Sequence, residues 1–417
     1  MVVELISVGT ELLLGMITNT NAQYLSKQCS KLGFDLYHQT VVGDNWQRIG
    51  EVVKAALERS DIILVTGGLG PTQDDITKEA IAKELNLELV VDEPSREMIE
   101  NYFSTRGIKP TENNWKQALI PIGSEAIIND NGTAPGIMIP VDNKKIFLMP
   151  GPPNEMQSMF ENKIVDYLQA EQEDVFYSKM IKICGVGESK VATVIEDLID
   201  SQTNPTIAMY AKPGEVSVRV MSKASDKKLA KKIATPIVKE ISKRFKSNVF
   251  TKHENVELEG AVVALLHEND YTIAIAESCT GGMLTSRLVN VPGVSKILLR
   301  SSVTYTNESK QSMLDVKKKT LKKYGEVSKE VAEEMAVGAR KGADSDVSVA
   351  ITGIAGPGGE TAEKPVGLVY ITCNVKGVLS TKEYHFQGDR NRIREHTTIN
   401  ALIDVREAML RYHGEVE

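Results

Sequence analysis

A serine in a glycine-rich turn and a lysine downstream of it are the residues of this chain best suited to hydrolyse an amide without a histidine. The serine is Ser278, in AESCTGG at 276–282, and the lysine is Lys310, at the end of YTNESK at 305–310. A serine hydroxyl attacks a carboxamide only when a neighbour takes its proton. No histidine lies near Ser278 in the sequence, which leaves Lys310 as the base. Lysine can accept a proton only when neutral, and burial beside other donors lowers its pKa toward the working range. Tyr305 could relay the proton or hold both partners. The N–H groups around Thr280, Gly281 and Gly282 could stabilise a tetrahedral oxyanion and, at a helix start, favour an anionic substrate. Cys279 is the competing nucleophile. A thiol is intrinsically the better attacker, but the position after Ser278 points away from the site, and buried free cysteine is commonly inert packing. The bland alternative is that serine and glycine at a strand end are only turn residues.

Three further features join this set as candidate substrate contacts. Asn307 shares the segment that carries Lys310. ITGIAGPGG at 351–359 follows an apolar run, so Gly353 and Gly356 could let the backbone approach a ligand, although an ordinary loop fits as well. Arg390 stands just before the last predicted helix, where its guanidinium could hold a phosphate or simply form a surface ion pair.

The front of the chain carries a different chemistry. GTELLLG at 9–15 contains Glu11, and TGGLGPTQDD at 66–75 contains Gly67, Gly68, Gly70 and Thr72. Each follows an apolar run, which predicts two glycine-bearing loops at one sheet edge, where open parallel sheets bind nucleotide phosphates. Neither loop fits GxGxxG or the Walker pattern, which disfavours a dinucleotide fold or a P-loop NTPase. Asp44, Asp74, Asp75 and Glu155 supply carboxylates suited to a hard divalent cation bridging a pyrophosphate. Taken singly, each also fits a helix cap or a turn. PGPPNE at 150–155 ends a strand and starts a helix, an ordinary place for proline.

The elements that position these residues follow from hydrophobic periodicity. Strand-like runs at 4–8, 34–42 and 61–66 alternate with helical patterns at 21–32 and 46–59, which implies a parallel sheet with crossover helices; 136–139 and 145–149 extend it. A polar linker is expected at 169–174. A strand at 177–184, a helix at 189–199, a hairpin over 206–221 and a helix at 227–245 make a small split αβ unit. It suggests a KH-type RNA module, but its loop Gly185-Val186-Gly187-Glu188 lacks the GXXG clamp and carries an acid where a phosphate would lie. The last part places strands at 271–276, 296–304, 347–352, 366–373 and 378–386 among helices, the last helix covering 393–412. Ser278 then sits at a strand end, where the glycines allow a tight turn into a helix from Met283. The expected fold class is α/β in three domains: 1–170 with a mostly parallel sheet, 171–252 KH-like, and 253–417 an α/β amidase domain.

Composition bounds the setting. The chain has 417 residues, too many for one ordinary core, and is 41% hydrophobic, as a folded protein requires. No run approaches the roughly 18 apolar residues that span a membrane, and the start lacks a basic signal-like segment, so a cytoplasmic protein without membrane partners is expected. Four cysteines without paired spacing suggest neither a disulfide framework nor a zinc site. The net charge of −7 disfavours nucleic acid as a partner and favours small molecules.

AESCTGG, VTYTNESK, ITGIAGPGG, EKPVGLVY and FQGDR, in this order over about 257–417, resemble the carboxy-terminal domain of the competence/damage-inducible protein CinA family. The resemblance implies deamidation of nicotinamide mononucleotide to nicotinic acid mononucleotide and ammonia, with Ser278 as nucleophile, Lys310 as base, Tyr305 in support and no cofactor. GTELLLG, TGGLGPTQDD and PGPPNE resemble the family's amino-terminal domain, of molybdopterin-cofactor-biosynthesis type. That implies metal-dependent hydrolysis of ADP-ribose to AMP and ribose 5-phosphate, using Mg or a transition metal such as Co. Asp44 and Asp75 are then the functional acids, and Gly67, Gly68, Gly70 and Thr72 the phosphate loop. The family also implies a homodimer. Two readings compete for the front domain: a molybdopterin-binding or adenylylating module, and a non-catalytic scaffold in a competence or DNA-damage assembly.

Overall fold

A computed structural model describes residues 1–171 and 174–416, so Gln172 and Glu173 of the expected linker lie outside the described residues. The chain divides into two compact units, Met1–Tyr177 with Lys223–Ala230, and Ser178–Ser222 with Lys231–Glu417.

The first unit is built on a six-stranded sheet. Its strands are β1 (Val2–Val8), β2 (Asp35–Val42), β3 (Ile62–Thr66), β6 (Glu125–Ile127), β7 (Gly136–Val141) and β8 (Lys144–Met149), while β4 (Leu89–Val91) and β5 (Leu119–Pro121) pair separately. The order is β2-β1-β3-β8-β7-β6. Strands β2, β1, β3 and β8 are parallel and β7 and β6 run antiparallel, so the sheet is mostly parallel, as expected, with an antiparallel end. The reason is local. Only Asp142 and Asn143 separate β7 from β8, and a two-residue link with Asp142 at φ 52° can make a hairpin but never a crossover. Both faces of the sheet are covered: Ile63 and Val65 enter one apolar cluster, Ile62 and Leu64 another. This is why β3 reads as an unbroken apolar run rather than an alternating one.

The second unit carries most of a four-stranded sheet, β10-β11-β9-β12, from β9 (Val175–Cys184), β10 (Thr206–Lys212), β11 (Glu215–Ala224) and β12 (Val249–Thr251). The helix expected at 189–199 is two, Glu188–Val194 and Glu196–Asp200, broken at Ile195 (φ −116°, ψ 16°). The break follows the β-branched run Thr193-Val194-Ile195, whose side chains crowd the preceding turn.

The five-stranded sheet, β14-β13-β15-β16-β17, holds β13 (Ile273–Glu277), β14 (Leu298–Val303), β15 (Val347–Gly353), β16 (Leu368–Val375) and β17 (Val378–His385). Strands β13, β14 and β15 are parallel, so their carboxyl ends share one edge. Ile273 and Ile275 pack into one apolar cluster with helix Arg390–Tyr412, and Ala274 and Ala276 into another with helix Lys329–Ala343. Each fully buried isoleucine here contributes roughly 2 kcal/mol. That burial fixes the edge from which Ser278 projects. No helix among the described residues is long and apolar enough to cross a membrane.

Candidate active sites

Strand β13 ends at Glu277, one residue later than the apolar run suggests, and Ser278 follows directly. The chain then turns through Gly281 (φ 60°) and Gly282 (φ 98°) into helix Met283–Val289. A side chain at Gly282 would be strained in that left-handed conformation. Glu277 anchors the turn from the far side. Its buried carboxylate accepts from the N–H groups of Gly282 (3.0 Å), Leu284 (3.2 Å) and Thr285 (2.9 Å) and from the Thr285 hydroxyl (2.6 Å). It thereby satisfies open N–H donors at the helix start.

The chain after the parallel partner β14 brings in Lys310. Thr304 N–H donates to Glu277 O (2.8 Å), which prolongs the pairing to the edge at Ser278. Thr306 then caps helix Asn307–Leu314, its hydroxyl accepting from Ser309 N–H (3.2 Å), and Lys310 lies in the first turn. Helical side chains lean toward the helix amino terminus, so Lys310 reaches back to the sheet edge. Its Nζ lies 3.2 Å from Ser278 Oγ and donates to Thr304 O at 2.8 Å. Lys310 is 1% exposed and Ser278 8%. Burial pushes the Lys310 pKa below the ordinary lysine value, while the charge of Glu326 opposes that shift.

Tyr305 is exposed, and its hydroxyl accepts from Arg390 Nη2 (2.8 Å), whose Nη1 donates to Gly356 O (2.6 Å). Three predicted residues from different segments are therefore joined. Arg390 does not precede the last helix, as expected, but is its first residue, because Asp389 supplies the cap by accepting from Arg392 N–H (2.8 Å). Gly353 has a packing role: a Cβ there would come within 2.6 Å of Val369 on the adjacent strand. Asn307 donates to Glu326 Oε2 (3.3 Å) and leaves its Oδ1 buried without a partner among the described residues.

The oxyanion expectation needs correction. Of the three N–H groups proposed, that of Gly281 donates to Ser278 O (3.1 Å) and that of Gly282 to Glu277. Only the Thr280 N–H has no partner among the described residues. Cys279 packs into the apolar cluster, and burial pushes its thiol up to about 12, so no thiolate stands beside Ser278 at neutral pH.

In the first unit the loops after β1, β3 and β8 meet at one sheet edge around a cleft of about 970 Å³. Glu11, Asp44, Gly67, Gly68, Gly70, Asp74, Asp75 and Glu155 all line it, with Gln117. Thr72 stands behind, donating from N–H (2.9 Å) and hydroxyl (2.7 Å) to Asp75 Oδ2. Asp44 Oδ2 likewise accepts from the N–H (3.0 Å) and hydroxyl (2.8 Å) of Thr10. Glu155 accepts from Asn129 (2.7 Å), and burial raises its pKa. Gly67 (φ 98°) lies so close to Val8 O that a Cβ would strike it. Among the described residues no group of three or more His, Cys, Asp and Glu side chains is placed to hold a metal ion. The oxygen donors suit a hard cation, but they form no cage, and substrate phosphate oxygens would have to complete the coordination.

Family models match along most of the chain. The probable molybdopterin binding domain matches residues 4–170, the damage-inducible protein CinA KH domain 178–251 and the CinA C-terminal domain 255–409. A putative competence-damage inducible protein of Clostridium beijerinckii is 50% identical over 408 residues, 98% of this chain and 99% of that protein. The chain belongs to the CinA family. A CinA-like protein of Dictyoglomus turgidum is also 50% identical, over 98% of this chain and 99% of its own. A solved structure of the protein CinA with unknown function from Thermoplasma acidophilum is 36% identical over 39% of this chain and 96% of that one, with a TM-score of 0.37.

For this CinA-family chain, then, the fold is α/β with a molybdopterin-binding-type front domain, a KH-like middle and a CinA carboxy-terminal domain. Sequence reasoning passed over three residues of the carboxy-terminal site. Glu277 holds the turn, Thr304 O engages the lysine, and Arg394 donates to Cys279 O (3.1 Å) and Thr280 O (2.9 Å) from the last helix. Only Glu277 had a local signal, an acid next to Ser278 just before a helix start.

Proposed function

We propose that the carboxy-terminal domain hydrolyses nicotinamide mononucleotide to nicotinic acid mononucleotide and ammonia. The observation that carries this reading is the buried Ser278–Lys310 pair, 3.2 Å apart, with the lysine pKa lowered by burial. Neutral Lys310 takes the Ser278 proton as Oγ bonds to the carboxamide carbon and the carbonyl electrons move to oxygen. The Thr280 N–H stabilises that oxyanion. As the tetrahedral species collapses, Lys310 gives its proton to the departing nitrogen, which leaves as ammonia, and an ester remains on Ser278. Water then attacks the ester carbon, giving one proton to Lys310, which returns it to Ser278 Oγ as the carboxylic acid leaves and releases its remaining proton to solvent as it ionises. Tyr305 and Arg390 stand near this edge, where an anionic phosphate would meet a guanidinium.

For the front domain the proposal is hydrolysis of ADP-ribose to AMP and ribose 5-phosphate, with the pyrophosphate in the cleft lined by Gly67, Gly68 and Gly70. A divalent cation held there by one or two carboxylates would neutralise pyrophosphate charge. Asp44 and Asp75, each held by a threonine, supply the acids. The alternative, a front domain that binds a molybdopterin or only scaffolds an assembly, is favoured by one observation: the carboxylates among the described residues are not gathered for a metal.

Ammonia release from nicotinamide mononucleotide, measured on the full chain with Ser278→Ala and Lys310→Ala beside it, tests the first activity. Both variants should be inactive, and full activity in either overturns the pair. AMP release from ADP-ribose across a series of divalent ions tests the second. No release with any ion favours the binding module.

A further inference from the structure

We propose that Arg394 is a positioning residue for the deamidase reaction, holding the peptide between Cys279 and Thr280 so that the Thr280 N–H serves the oxyanion. The inference rests on the deamidase reading of the Ser278 site and adds to it a group 115 residues away in sequence. Arg394 lies one turn into helix Arg390–Tyr412, and its guanidinium binds two successive carbonyls of the nucleophile turn. Nε donates to Cys279 O at 3.1 Å and Nη2 to Thr280 O at 2.9 Å.

In a trans peptide the N–H points opposite to the C=O of the same unit. Fixing Cys279 O therefore fixes the direction of the Thr280 N–H, away from Arg394. The two N–H groups that follow in the turn are already used: Gly281 donates to Ser278 O and Gly282 to the Glu277 carboxylate. Thr280 is fully buried, and its hydroxyl has no partner among the described residues. A fully buried residue with both N–H and hydroxyl unengaged, two positions from the nucleophile, has hydrogen-bonding capacity kept for something that arrives. Arg394 also places positive charge behind the two carbonyls, polarising the peptide whose N–H must donate. A lysine cannot reproduce this, because a point charge cannot grip two carbonyls in a fixed plane.

The test is steady-state deamidation of nicotinamide mononucleotide by full-length Arg394→Lys and Arg394→Ala, with Arg392→Ala as the control on the same helix. Arg394→Lys should melt like the wild type, with kcat down about 10²-fold and KM nearly unchanged. Free guanidinium ion should restore activity to Arg394→Ala but not to Ser278→Ala. A wild-type kcat in Arg394→Lys overturns the proposal. So does a kcat loss in both variants that tracks a lowered melting temperature and resists guanidinium, because that marks a merely structural clamp. The two levels separate cleanly. If Ser278→Ala keeps activity, the deamidase reading itself fails; if Ser278→Ala is inactive and Arg394→Lys is normal, only the role of Arg394 falls.

Discussion

Lys310 Nζ lies 3.2 Å from Ser278 Oγ, with neither residue more than 8% exposed, and its other partner is a backbone carbonyl rather than an acid. A carboxylate in contact would hold the lysine charged. A carbonyl orients the amine and leaves burial to favour the neutral form.

The first prediction separates the two neighbouring nucleophiles. Ser278→Ala should lower kcat for nicotinamide mononucleotide by at least about 10³-fold, since a nucleophile and its base act as a unit. Cys279→Ala should keep the wild-type rate and lose stability instead, by about 1–3 kcal/mol, because the thiol fills the apolar cluster behind the turn. Rates and urea denaturation of both variants decide it. A dead but well-folded Cys279→Ala would move the chemistry to the thiol.

The second concerns pH. On the proposed mechanism Lys310 must be neutral, so the rate should rise with pH through the lysine pKa, which burial has brought below its ordinary value. Glu326 works against that shift. Replacing its charge in Glu326→Gln should lower the Lys310 pKa further and move the acidic limb of the kcat/KM profile to lower pH. A limb that stays in place or moves upward would show that another group sets it.

A third follows from the same burial, now read as stability. The folded state binds the Lys310 proton less tightly than the unfolded chain, so the cost of the lysine is full below its folded pKa. It fades as the pH rises toward the ordinary value of about 10.4. Lys310→Met should therefore be inactive yet more stable at neutral pH, on the order of 1 kcal/mol, with the gain shrinking in alkaline buffer. Equal urea midpoints for the two proteins at neutral pH would count against a strained, functional lysine.

What could be read from residues alone follows the range of each interaction. Strands β1, β3, β13 and β15 are apolar runs because both sheet faces are covered, and the glycines after them mark where the chain must turn sharply. Residue spacing alone does not bring Lys310 to Ser278; the parallel pairing of β13 with β14, with Glu277 opposite Val303, does. Arg394 was out of reach altogether. An arginine in a helix has no local signature, and its partners lie 114 and 115 residues earlier. Where the front sheet turns antiparallel is not marked by apolar content, which signals a strand but not its direction; direction is set by the two-residue link before β8.

The last prediction turns on Asp75, whose Oδ2 accepts two bonds from Thr72 and so closes the glycine loop on itself. Asp75→Asn should act twice, removing a carboxylate from the cleft and slackening the loop that would meet the phosphates of ADP-ribose under the proposed activity. Thr72→Val removes only the hydroxyl bond to that carboxylate. Losing one hydrogen bond to a charged group costs about 1.5–3 kcal/mol, which would appear as weaker ADP-ribose binding with kcat and the ion requirement little changed. Asp75→Asn should lower kcat as well and demand more divalent ion. Calorimetric titration with ADP-ribose, alongside AMP release across an ion series, distinguishes the two effects. Identical behaviour of the two variants would mean that Asp75 serves only to hold the turn and that the catalytic acid of the cleft lies elsewhere, with Asp44 next in line.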